Sequence, residues 1–135
     1  MKRKHVPSLL AGAVAVSLLM MLGGCASTIS KGVDEQGRAQ EVIFPDPTKD
    51  ATQPEGSYPN SESLSKLRVG LTKTQVQQLI GTPHYKEGFG AREWDYLLHM
   101  PSSDVVCQLK LIYNKQMQVG SIHSLPAQCL KVSGQ

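Results

Sequence analysis

Residues 60–135 read as an α+β domain, with two short N-terminal helices packed on a three-stranded antiparallel β-meander. Three observations predict it. The tetrad Thr72-Lys73-Thr74-Gln75 has the form of a capping box and introduces an apolar stripe at helical spacing. Two later runs alternate apolar and polar side chains at strand spacing. Both helical segments are short, and helices below about 12 residues are marginal in water unless a sheet buries their stripes.

In chain order the first element is an export signal. Lys2, Arg3 and Lys4 precede the apolar run Leu9 to Leu22, and Leu22-Gly23-Gly24-Cys25 closes it before polar sequence begins, so residues 1–24 are a signal peptide. The run is about 14 residues long, whereas a membrane crossing takes roughly 20. Removing those three charges from 14 Lys plus Arg and 11 Asp plus Glu leaves 11 of each sign, a formal charge of zero. That balance excludes a nucleic-acid binder, which needs a surplus of basic side chains on one face. The tetrapeptide ending at Cys25 resembles the lipobox of bacterial lipoprotein precursors, with Leu at −3 and Gly at −2 and −1, which implies cleavage before an acylated Cys25; an ordinary secretory signal is the plainer alternative. More than one acyl chain on Cys25 makes attachment stable. Ala26 and Ser27, with no Asp after Cys25, resemble lipoproteins sorted to the outer membrane.

Residues 25–59 then read as a lipidated, Pro/Gly-rich tether, carrying Pro45, Pro47, Pro54 and Pro59 among Gly, Ser, Asp and Gln. Only Val42-Ile43-Phe44 is apolar enough to lie as an extended strap on the domain, and whether it docks is left open.

The first helix runs to Lys66, capped by Asn60 or Ser61, with Glu62 in its first turn and Leu64 and Leu67 on one face; Arg68 and Gly70 mark its end. The second starts at the capping box and carries Val76, Leu79 and Ile80 at i, i+3 and i+4, until Gly81 and Pro83 stop it. Gly70, Gly81 and Pro83 serve the backbone, and Leu67, Val76, Leu79 and Ile80 are assigned to the core. A first strand over 93–98 places Trp94, Tyr96 and Leu98 on one face, and a second over 105–113 does so with Cys107, Leu109, Leu111 and Tyr113. The third, 119–124, is less regular because Val119 and Ile122 differ in parity, which suggests a bulge.

Lipidation of Cys25 leaves Cys107 and Cys129 as an even pair in an oxidising compartment, and a disulfide between them is expected. Their spacing carries no CxxC redox signature. His5, His84, His99 and His123 show no HxxxH or HxH spacing, so neither a metal nor any other cofactor is expected. With no GxSxG motif, no paired carboxylates in an apolar setting and no nucleophile beside a histidine, the chain does not read as an enzyme.

Read together, Leu67-Arg68-Val69-Gly70-Leu71-Thr72, Gln75-Val76, Gly81-Thr82-Pro83, Phe89-Gly90 and Trp94 with Tyr96 resemble the BamE (SmpA/OmlA) lipoproteins of the β-barrel assembly machine, over roughly Gly56 to Pro126. The resemblance implies an accessory lipoprotein on the periplasmic face of the outer membrane that steadies the complex inserting barrel proteins. It implies BamD and BamA as partners and phosphatidylglycerol as a lipid contact. The long tether with Phe44-Pro45-Asp46 and the two late cysteines look more like the form of this domain at the front of some OmpA-type lipoproteins, although no peptidoglycan-binding domain is expected before Gln135.

Binding residues are sought where an aromatic lacks a local core. Phe89 sits in the glycine-flanked loop Lys86-Glu87-Gly88-Phe89-Gly90-Ala91-Arg92 and reads either as an anchor inserted into a partner or lipid headgroups or as a lid on the sheet edge. Tyr58 belongs to a Gly56-Ser57-Tyr58 triplet matching one that precedes the first helix in the family. Lys86 and Arg92 are the nearest cations for a lipid headgroup. His84 and His99 depart from the family pattern near its contact surface, and neutral His offers an anionic phosphate less than Arg does. A second reading, as a periplasmic inhibitor module or envelope-structural protein, follows from a likeness of the helix-helix-sheet unit to the repeat of a β-lactamase inhibitor protein.

Overall fold

The computed structural model describes residues 28–101 and 103–132; the signal peptide expected over residues 1–24, and Cys25, lie outside the described residues. Asn60 caps α1 (Ser61–Lys66), its Oδ1 accepting from the Ser63 amide at 2.7 Å. At the start of α2 (Lys73–Ile80) both arms of the capping box form: the Gln75 amide donates to Thr72 Oγ1 and the Thr72 amide donates to Gln75 Oε1. α2 ends at Gly81, whose φ of +81° lies where a side chain would be strained.

The strands β1 (Glu93–His99), β2 (Val106–Tyr113) and β3 (Val119–Leu125) form an antiparallel sheet in sequence order. Trp94 lies opposite Leu111, Tyr96 opposite Leu109 and Leu98 opposite Cys107. These side chains meet Leu64, Leu67, Leu71, Val76 and Ile80 in one core between helices and sheet, with half-buried Leu79 at its rim. Ile112 pairs with Ser121 but Tyr113 with Val119, so Gly120 is an extra residue in β3. The bulge lets Val119 and Ile122 reach the same core despite their parity.

A third helix, α3 (Cys129–Val132), is absent from the sequence reading because four residues carry no periodicity. The Cys107–Cys129 disulfide ties it to β2, and both cysteines are buried in the core. Reduction is expected to cost about 3 kcal/mol and lower the melting temperature by roughly 12 to 15 °C. Mass analysis of the unreduced chain should show two fewer hydrogens, and thiols that alkylate without reductant would contradict the bond.

Residues 28–59, read from sequence as a tether, lie along the opposite face and free edge of the sheet. Ser121 Oγ donates to Gly37 O at 2.5 Å, the Lys115 amide to Glu35 O at 2.8 Å and Gln108 Nε2 to Pro45 O at 2.9 Å. Along β1, the Ser57 amide donates to Leu97 O and the His99 amide to Ser57 O. Docking therefore extends well beyond Val42-Ile43-Phe44. Gly120 shows how close the approach is, since a Cβ there would sit 2.0 Å from Gln36 O. The attachment uses mainly backbone groups, which is why an apolar pattern does not announce it.

Candidate functional site

The 86–92 loop between α2 and β1 is held from inside by its carbonyls. Trp94 Nε1 donates to Gly88 O at 3.0 Å, and Lys73 Nζ donates to Phe89 O at 2.5 Å and to Ala91 O. The Phe89 ring stands edge-on to Trp94, with centroids 5.4 Å apart, yet remains 56% exposed. Part of the ring therefore packs against the core aromatic while more than half of its surface faces outward.

Lys86 is exposed on the same loop. Arg92 is engaged internally, its Nε and Nη2 donating to Tyr113 O at 3.1 and 2.9 Å and its Nη2 also to Asp34 O at 2.7 Å. Its guanidinium fastens the 28–59 segment to the end of β2. A groove of about 430 Å³ separates the start of that segment from the loop, lined in part by Thr28, Ile29, Val33, Lys86 and Ala91.

Tyr58 lies at the other end of β1, stacked on His99 at 4.1 Å with 13° between the rings, while His99 Nε2 bonds Glu55 O. A seven-residue strand spans roughly 20 Å, so Tyr58 and the Phe89 loop are separate surfaces. His84 is buried, its amide donating to Asp95 O and its Nδ1 accepting from the Leu97 amide at 2.8 Å. Burial lowers its pKa, and the neutral ring seals the free edge of β1 rather than facing a ligand.

The sequence reading saw no paired carboxylates in an apolar setting; the fold builds such a group. Glu93 and Asp95 share the face covered by residues 28–59, and fully buried Lys110 lies 2.5 Å from Glu93 Oε2 and 2.9 Å from Asp95 Oδ2. The Ser30 amide closes over Glu93, and Glu87 Oε2 accepts from the Asp95 amide. The i, i+2 spacing of Glu93 and Asp95 was visible in the sequence, but Lys110 enters only through the strand register. Burial, reinforced by neighbouring Asp95, raises Glu87 to about 9.

Stability should therefore fall with pH across the neutral range. Folded Glu87 keeps its proton above the ordinary 4.5 while the unfolded chain has lost it, so the folded state binds more protons up to about 9. His84 and His123, lowered by burial, oppose this only below their ordinary 6.5, and Lys73, lowered to about 8, only above that value. Between pH 6.5 and 8 the melting temperature is expected to decrease, and Glu87→Gln to flatten the profile. A flat wild-type profile would contradict the sequestered carboxyl.

Among the described residues no cluster of His, Cys, Asp and Glu could hold a metal ion, and no helix is long and apolar enough to cross a membrane. A family model described as the outer membrane protein assembly factor BamE domain matches residues 56–122. The curated protein of Polynucleobacter necessarius subsp. necessarius (strain STIR1) named "Outer membrane protein assembly factor BamE" is 39% identical over 95 residues, 68% of this chain; the match spans 39% of that protein's length. Proteins of the same name from Escherichia coli (strain K12) and Salmonella typhimurium (strain LT2) are 32% and 31% identical over 118 residues. Those matches cover 85% of this chain and 90% and 91% of the relatives.

Proposed function

Because the chain belongs to the BamE family of outer membrane protein assembly factors, we propose that it is a non-enzymatic accessory lipoprotein that stabilises the outer-membrane β-barrel assembly complex and so supports insertion of barrel proteins. It acts from the periplasmic face of the outer membrane, anchored through acylated Cys25, with BamD and BamA as its partners. The observation that carries the reading is the Phe89 loop, where a large aromatic is exposed although its backbone is fixed. An aromatic so held has the character of an interface anchor. Thr28, which borders the groove beside the loop, follows Cys25 by three residues, a reach of roughly 10 Å. An anchored chain keeps this loop close to the membrane surface.

A protein partner is favoured over phosphatidylglycerol here. Arg92 is committed to backbone carbonyls and His84 is buried, which leaves Lys86 as a single exposed cation on the loop. One solvated ammonium is a weak phosphate site compared with a bidentate guanidinium.

Crosslinking in cells followed by purification of the tagged full-length chain from envelopes is expected to recover barrel-assembly subunits. Recovery of a periplasmic enzyme or of peptidoglycan-bound proteins without those subunits would overturn the reading in favour of an inhibitor or envelope-structural role. Cys25→Ser is expected to abolish labelling by a palmitate analogue and release the chain from membranes; label retained on that variant would remove the anchor from the account.

A further inference from the structure

Lys73 occupies a position that the fold alone disfavours for a cation. It is the first residue of α2, where the helix dipole opposes positive charge, and it is only 4% exposed, where desolvation opposes any charge. An aliphatic side chain would avoid both costs. The ammonium instead reaches past its own helix to Phe89 O and Ala91 O, and lies 4.9 and 4.8 Å from the ring centroids of Trp94 and Tyr113. Burial lowers its pKa to about 8, which leaves the charged form dominant at neutral pH. With Trp94 Nε1 holding Gly88 O, three carbonyls of a loop containing Gly88 and Gly90 are fixed from inside. The loop's one large apolar side chain, Phe89, is left facing out.

We infer that Lys73 is a positioning residue, which holds the 86–92 loop in its binding shape and presents Phe89 to the protein partner as a preformed anchor without itself touching that partner. The inference rests on the assembly-factor reading above and adds the device that sets its affinity. A loop with two glycines would otherwise have to be ordered on association. Preorganising it is worth about tenfold in affinity.

The test uses the full chain and the detergent-solubilised barrel-assembly complex, with thermal melts, amide hydrogen exchange and association measured on each variant. Lys73→Met is expected to speed exchange across 86–92, leave β2 as in wild type and weaken association about tenfold. In a Phe89→Ala background the same substitution should cause no further loss, and Lys73→Arg should restore part of the loop's protection. If Lys73→Met fails to fold, Lys73→Gln, which keeps N–H donors without charge, carries the same comparison. Loop exchange unchanged from wild type overturns the inference, and so does an equal loss of association with and without Phe89. If the wild-type chain does not associate, the functional reading fails, while the exchange measurement still decides whether Lys73 holds the loop.

Discussion

Lys110→Met is expected to destabilise the chain by about 3 to 5 kcal/mol and lower its melting temperature by roughly 12 to 25 °C. The reason is asymmetry rather than the strength of any ion pair. Lys110 is fully buried and is the counter-ion of two carboxylates, Glu93 and Asp95, which are themselves almost wholly enclosed. Removing the ammonium leaves both carboxylates desolvated without compensation. Neutralising the cluster as a unit, with Lys110→Met, Glu93→Gln and Asp95→Asn together, should recover much of the loss, because no uncompensated charge then remains among these three side chains. The single variant should also regain stability as pH falls, since its uncompensated carboxyls take up protons in the folded state more readily than in the unfolded one. The Ser30 amide donates to Glu93, so residues 28–33 should exchange their amides faster. Circular-dichroism melts at two pH values decide the matter: a Lys110→Met protein that melts within about 2 °C of wild type would mean that the cluster contributes nothing.

The second large effect separates anchor from core. Phe89→Ala should leave the melting temperature nearly unchanged while weakening association with the barrel-assembly complex by at least about 2 kcal/mol, roughly 30-fold. Its ring stands perpendicular to Trp94 and keeps more than half its surface free, so little core packing is lost. Leu111→Ala should do the reverse. Leu111 lies at the centre of the helix-facing side of the sheet with no exposed surface, and a cavity there costs about 2 to 5 kcal/mol. Its association should fall only in proportion to unfolding. If Phe89→Ala melts as low as Leu111→Ala, the phenylalanine is core and the binding surface lies elsewhere. If Phe89→Ala melts normally and still binds, the anchor assignment fails while the fold stands.

How these side chains divide was partly written in the sequence. Trp94, Tyr96 and Leu98 alternate with Glu93, Asp95 and Leu97, and that period assigned one face of β1 to the helices before any packing was known. The capping box, Gly81 and the parity break between Val119 and Ile122 likewise acted locally, each depending on residues within a few positions. Phe89 was legible as a candidate for the same reason, as an aromatic set among glycines with no apolar neighbours at strand or helix spacing.

What the tertiary structure decided involves partners far apart in the chain. The register of β2 on β1 brings Lys110 against Glu93 and Asp95, 17 and 15 residues away, so a lysine inside an apolar strand became the counter-ion of a buried cluster. Arg92, read as a headgroup contact, was claimed by Asp34 O and Tyr113 O, 58 and 21 residues away. Lys73, which helical spacing treats as the first turn of a surface helix, found two carbonyls in the loop 16 and 18 residues on. The proline-rich 28–59 segment docked through backbone donors and acceptors, which every residue carries and which leave no trace in composition. Periodicity and capping are properties of neighbouring residues and survive in a linear string; the compensation of a buried charge, or of a backbone group, is set by whichever distant atom the fold brings within hydrogen-bond reach.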